Sequence, residues 1–176
     1  MNEIGEILFD TQTIENKVRE LAAQISRDYE GKHLVLVSIL KGAITFTADL
    51  MRRISLPVEI DFVRAASYGK ATVSSRTITI TKDIEMDVRG KHVLLVDCII
   101  DTGDTLEYLF GKFAEKNPAG IKAVVLLDKK SRRTREVPLA YRGFEIPDTF
   151  VVGYGMDCAE QYRYLPYIAA LKSPPR

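Results

Sequence analysis

A chain of 176 residues, 46% hydrophobic and 28% charged, has the size and composition of one globular domain with a properly buried core. Lys and Arg total 25 against 24 Asp and Glu, a formal charge of +1, so no basic excess points to nucleic acid or a membrane surface. No apolar run is long enough to span a bilayer, the polar start Met1–Glu6 is no signal peptide, and Cys98 and Cys158 have no metal-site spacing, so the expected compartment is a reducing cytoplasm.

The first predicted element is a helix over 11–30. Ile14, Val18, Leu21 and Ile25 recur at helical spacing, Asp10 or Thr11 can cap the start, and Gly31 can stop it. Leu34–Leu40 is a continuous apolar run, the pattern of a strand covered on both faces in a parallel sheet. It leads into Lys41-Gly42 and a helix with Ala43, Phe46, Leu50 and Ile54 on one stripe, a strand–loop–helix anion site with a lysine at its mouth. Val58–Val63 is predicted as the next strand and Thr77–Thr81 as another. Between them, Gly69–Arg76 is small and polar, and reads either as an idle hairpin tip or as a mobile lid that excludes water from reacting groups.

Val93–Val96 is predicted as a buried strand ending at Asp97. The polar loop Asp101-Thr-Gly-Asp-Thr105 follows, then a helix with Leu106, Leu109, Phe110 and Phe113 on one face. The free amides and dipole of a helix N-terminus favour an anion, Gly103 lets the backbone approach it, and Thr102 and Thr105 add hydroxyl donors. A phosphate fits this loop. Asp97 and Asp101 would repel a bare phosphate, so the ligand must also carry groups that acids hold, such as sugar hydroxyls or Mg²⁺. Ile121–Leu127 is the next buried strand, and strands alternating with helices in this way indicate an α/β, doubly wound, mainly parallel sheet. Its ligand site then lies at the carboxyl ends of the strands, where Lys41, Asp97, Asp101 and Lys129 all fall. Lys130–Arg135 is expected as a solvated basic loop, Phe150–Val152 as a short strand, and Ser173–Arg176 as a loose tail.

Leu40-Lys-Gly42, Ser67-Tyr-Gly69, the 97–105 loop, Leu127-Asp-Lys129 and Gly143–Tyr154, followed by Asp157 and Arg163, stand in the order seen in one known family. From about Leu34 to Leu171 the chain resembles the purine branch of the type I phosphoribosyltransferases. The resemblance implies a single domain over 1–176 with helices on both faces of the sheet, a lid at about 68–80, and a small hood built from the N- and C-terminal segments. It implies transfer of the 5-phosphoribosyl group of phosphoribosyl pyrophosphate (PRPP) to N9 of a 6-oxopurine with Mg²⁺, by a homodimer or homotetramer. Asp97, Cys98, Asp101, Thr102, Gly103, Asp104 and Thr105 would hold the ribose and its phosphate. Leu40, Lys41, Gly42, Ser67, Tyr68 and Arg163 would bind pyrophosphate, with a cis peptide bond before Lys41. Lys129 would donate to the exocyclic oxygen of the purine, Phe150 would cover its face, and Val151 and Asp157 would line its edge. Asp97 and Asp157 would serve the metal, and Asp101 would take the N7 proton as general base. One departure stands out: the family loop usually carries two adjacent acids, and here the second is Cys98. Alternative readings are a PRPP-binding regulator on the same fold, a xanthine- or uracil-specific transferase, and an RNA-binding attenuator using Arg132, Arg133 and Arg135.

Overall fold

The structure is a computed structural model and describes residues 3–68 and 77–172. A first strand, β1 (Ile4–Phe9), precedes α1 (Thr11–Asp28), where the Asp10 carboxylate caps the Thr13 amide at 2.8 Å. Ile14, Val18, Leu21 and Ile25 form the buried stripe of α1 that their spacing predicts. There follow β2 (Leu34–Ile39), α2 (Ile44–Met51), β3 (Val58–Tyr68), β4 (Thr77–Lys82), β5 (His92–Ile100), α3 (Asp104–Ala114) and β6 (Gly120–Asp128). A short 3-10 turn at Lys130–Arg132 leads to β7 (Leu139–Glu145), β8 (Val151–Val152) and β9 (Ile168–Leu171).

The main sheet has six strands in the order β4-β3-β2-β5-β6-β7. All neighbours are parallel except β3 and β4, an antiparallel pair at one edge. Layering explains the unbroken apolar runs, because successive strand residues point to opposite faces and both faces are covered. Leu34, Leu36, Leu94, Val96, Val124 and Leu126 pack in one core with α1 and α2. Val35, Val37, Val93, Leu95, Ala123 and Val125 pack in the other with Leu106, Leu109 and Phe113 of α3. This is the doubly wound arrangement expected from the alternation of strands and helices.

A separate three-stranded antiparallel sheet, β1-β9-β8, joins the two ends of the described chain, pairing Ile7 with Ala169 and Val151 with Ala170. Neither β1, β7 nor β9 falls within a predicted strand; each pairs with a partner distant in sequence or at a sheet edge. The predicted end of the central strand at Asp97 is corrected. β5 continues to Ile100 because Asp97, Ile99 and Ile100 keep their pairing with Val125, Leu127 and Asp128 of β6. The expected lid falls chiefly on 69–76, outside the described residues, as does the tail at 173–176. Among the described residues no helix is long and apolar enough to cross a membrane.

Candidate active site

The parallel strands all end on one edge of the main sheet, and the residues that can do chemistry collect there. β2 runs out into Leu40, Lys41 and Gly42, and the Leu40–Lys41 peptide bond is cis. Lys41 Nζ lies 2.9 Å from Glu160 Oε2. Gly42 sits against the thiol of Cys98, where a Cβ would come 2.8 Å from Sγ. Cys98 is buried, and burial, with the neighbouring Asp97 carboxylate adding to it, pushes the thiol well above its ordinary range. Cys98 is therefore a neutral, poorly nucleophilic group where the family usually has an acid. Asp97 leaves β5 on the opposite face, as strand alternation requires. Burial pushes its carboxyl up to about 7, although the Cys98 amide donates to Oδ1 at 2.8 Å.

Beyond β5 the chain turns into α3 through Gly103, which takes φ +94° at the N-cap. A side chain there would be strained and would also meet Arg135 Cβ at 3.1 Å. The Thr102 carbonyl accepts the amides of Thr134 and Arg135 at 3.0 and 3.1 Å, so the loop after β6 is stitched along the loop after β5. The loop at Lys130–Arg135 is exposed to solvent as expected, apart from the partly buried Arg133. Its arginines are all engaged: Arg132 with Asp101 and Asp148 at 2.7 and 3.1 Å, Arg133 with the buried Asp128 at 2.5 Å, and Arg135 with Asp104 at 3.0 Å. Asp148 Oδ1 also stands 3.6 Å from Lys129 Nζ. Opposite charges thus alternate along Asp101, Arg132, Asp148 and Lys129.

Lys129 is only 8% exposed, and its amide donates to the Ile100 carbonyl at 3.0 Å, which fixes the end of β6 beside the end of β5. Phe150 keeps 37% of its surface exposed, high for a ring of that size. Val151 is anchored in β8 by its pairing with Ala170. Arg163 donates through Nη1 to the Gly155 carbonyl at 2.8 Å, and its Nη2 lies 2.8 Å from Asp157 Oδ1. Asp157 Oδ2 accepts the Glu160 amide at 2.9 Å.

One cleft of about 330 Å³ gathers Lys41, Gly42, Cys98, Asp101, Lys129, Phe150, Val151, Asp157 and Arg163. It adds Ile99 and Met156, which the sequence reading did not single out. Asp97 and the residues Thr102–Thr105 stand outside this lining, and the side chains of Ser67 and Tyr68 lie outside what the structure describes. Glu160, Asp148 and Arg132 are further additions. The sequence signal for Glu160 was its spacing, three residues after Asp157 and three before Arg163. Arg132 stood only among the basic residues of the RNA-binding alternative, and Asp148 only within the Gly143–Tyr154 stretch. Among the described residues no cluster of three His, Cys, Asp or Glu side chains could cage a metal by itself. Mg²⁺ needs only one or two carboxylates and completes its shell with water and substrate phosphates, so separate acids such as Asp97 and Asp157 suit it.

The cations Lys41 and Arg163, the Asp101 carboxylate held by Arg132, the buried lysine Lys129, and the helix N-terminus that follows Asp101 suit a phosphorylated sugar carrying a second anionic group. The chain belongs to the phosphoribosyl transferase domain family, whose pattern matches residues 5–159. It is 43% identical over 171 residues to the hypoxanthine-guanine phosphoribosyltransferase of Bacillus subtilis, covering 97% of this chain and 95% of that one. The hypoxanthine phosphoribosyltransferase of Haemophilus influenzae is 46% identical over 166 residues, 93% of each chain. The crystal structure of a hypoxanthine-guanine phosphoribosyltransferase from Bacillus anthracis matches with a TM-score of 0.89 at 46% identity, covering 96% of this chain and 99% of that one.

Proposed function

We propose that this chain transfers the 5-phosphoribosyl group of PRPP to N9 of a 6-oxopurine, hypoxanthine or guanine, and releases pyrophosphate. The observation that carries this is the cleft itself: Lys41 and Arg163, Asp101, Lys129 and Phe150 line a single cavity. Near full-length similarity to hypoxanthine phosphoribosyltransferases supports it.

In this reading the lone pair of N9 attacks C1 of the ribose. The bond from C1 to the bridging oxygen breaks, and its electrons leave on pyrophosphate. Lys41 and Arg163 stabilise the negative charge that grows there. The purine loses its N7 proton to Asp101. Arg132 occupies Asp101 Oδ1, which leaves Oδ2 to accept that proton. Lys129 donates to O6, Phe150 covers the ring, and the Val151 backbone reads its edge. The amides of 101–105 and the Thr105 hydroxyl hold the 5-phosphate, and Asp97 holds the ribose hydroxyls. Mg²⁺, when bound, would be served by Asp97 and, through water, by Asp157, and would neutralise charge on the pyrophosphate. Ser67 and Tyr68 complete the pyrophosphate site in this reading.

A homo-oligomer belongs to the same proposal, supported by Ile44 and Met51, which leave an apolar strip along α2 at 50% and 36% exposure. So does a cytoplasmic setting, in which the two free cysteines stay reduced. The RNA-binding alternative loses its support, because Arg132, Arg133 and Arg135 are all spent on acids of the same chain.

The test is an ultraviolet assay with PRPP, Mg²⁺ and each base in turn. Nucleotide formed from hypoxanthine or guanine supports the proposal; tight PRPP binding without product selects the regulator. Lys129→Ala raises the apparent KM for the base about tenfold to a hundredfold, the worth of a hydrogen bond from a charged donor, and leaves the KM for PRPP near its original value. An unchanged KM for the base in initial-rate measurements removes Lys129 from the purine site.

A further inference from the structure

The loop that would take the 5-phosphate contains an acid that works against it. Asp104 is the first residue of α3, at the positive end of the helix dipole, and Glu107 lies in the same first turn. An acid there stabilises a helix by itself, but it competes with any phosphate for the same amides and repels it. The structure pairs both acids with one cation from the neighbouring loop. Arg135 Nε lies 3.0 Å from Asp104 Oδ1 and 3.4 Å from Glu107 Oε2. The pairing is built in, because the backbone of Arg135 is held on the Thr102 carbonyl at 3.1 Å and closely packed against Gly103. The second oxygen of Asp104 accepts the Thr102 hydroxyl at 2.9 Å, which keeps the carboxylate folded onto its own loop.

Resting on the phosphoribosyl-transfer reading above, we propose that Arg135 is a positioning residue for the sugar phosphate. By pairing Asp104 and Glu107 it cancels the acidic charge at the N-terminus of α3 and keeps those amides available to a phosphate monoester. It acts through Asp104 and needs no contact with the ligand. The neighbouring Asp101 is held by a different cation, Arg132. Arg135 is the cation whose side chain reaches both Asp104 and Glu107.

The experiment is calorimetric titration of inosine monophosphate, with inosine as the phosphate-free control, into the intact protein and its variants. R135A weakens inosine monophosphate about tenfold, the effect of removing one positive charge a few ångströms from a dianion near the surface, and leaves inosine unchanged. R135K keeps the charge and stays within about threefold of the original protein. The decisive arm is D104N/R135A, because D104N removes the acid but keeps its backbone amide. The double variant recovers affinity to within about threefold of the original, since the charge that Arg135 balanced is largely gone. A double variant as weak as R135A overturns the proposal, because Arg135 would then act by touching the phosphate or by holding the loop. R135A with undiminished affinity overturns it too, as does D104N alone binding more weakly than the original. If the unaltered protein fails to bind inosine monophosphate at all, the phosphoribosyl-transfer reading falls first and this inference with it.

Discussion

Asp101→Asn lowers the turnover of phosphoribosyl transfer by about 10²–10⁴-fold, the usual contribution of a general base, and changes PRPP affinity by less than about threefold. Asparagine has nearly the shape of aspartate, and its carbonyl oxygen can still accept from Arg132 Nε, which lies 2.7 Å from Asp101 Oδ1. The loop therefore keeps its geometry, and its amides still meet the phosphate. What disappears is the oxygen able to take the N7 proton, so the loss falls on kcat. Single-turnover kinetics set beside equilibrium binding of PRPP measure the two effects separately. Unchanged turnover with collapsed PRPP affinity would mean that Asp101 is a cap for the loop rather than the base.

Gly155→Ala should be the most damaging small substitution around the cleft. Gly155 has φ +98°, and a Cβ there would fall 2.3 Å from the carbonyl oxygen of Gly42. That neighbour is backbone, so no side chain can swing aside. The left-handed conformation and the clash together cost more than about 3 kcal/mol, and the melting temperature falls by roughly 6–12 °C for a domain of this size. Relief requires Gly42 to move, which displaces Lys41 and Arg163, because Arg163 is tied to the Gly155 carbonyl at 2.8 Å. The folded fraction then shows a raised KM for PRPP with a smaller change in the KM for the base. A melting temperature within about 2 °C of the original would show that the turn at 153–156 yields without strain.

Much of this could be read along the chain because the relevant signals are local. The apolar runs that became β2, β5 and β6 announce strands buried on two faces, and Gly103 between a strand and a helix announces an anion site. Asp101 and Lys129 could be named because each directly follows such a strand. The basic segment after Lys129 is exposed as its charge run implied, but its ion-pair partners could not be read from it, because acids that hold Arg132 and Arg135 lie 31 residues away. Lys41 and Glu160 are 119 residues apart and meet because the segment around Gly155 returns to Gly42, just beyond the end of β2.

Hydrophobic periodicity and turn chemistry, which act over a few residues, were enough to determine from sequence the doubly wound sheet, the sheet edge at which Lys41, Asp101 and Lys129 gather, and the Gly103 turn into α3. The tertiary structure alone decided the strands β1, β7 and β9, the charge chain from Asp101 to Lys129, and the compensation of Asp104 by Arg135. Each of these depends on which strands lie side by side and how far their connections reach. No window along the chain contains that information, because ion pairs and edge strands are completed by partners that only the order of the sheet brings near.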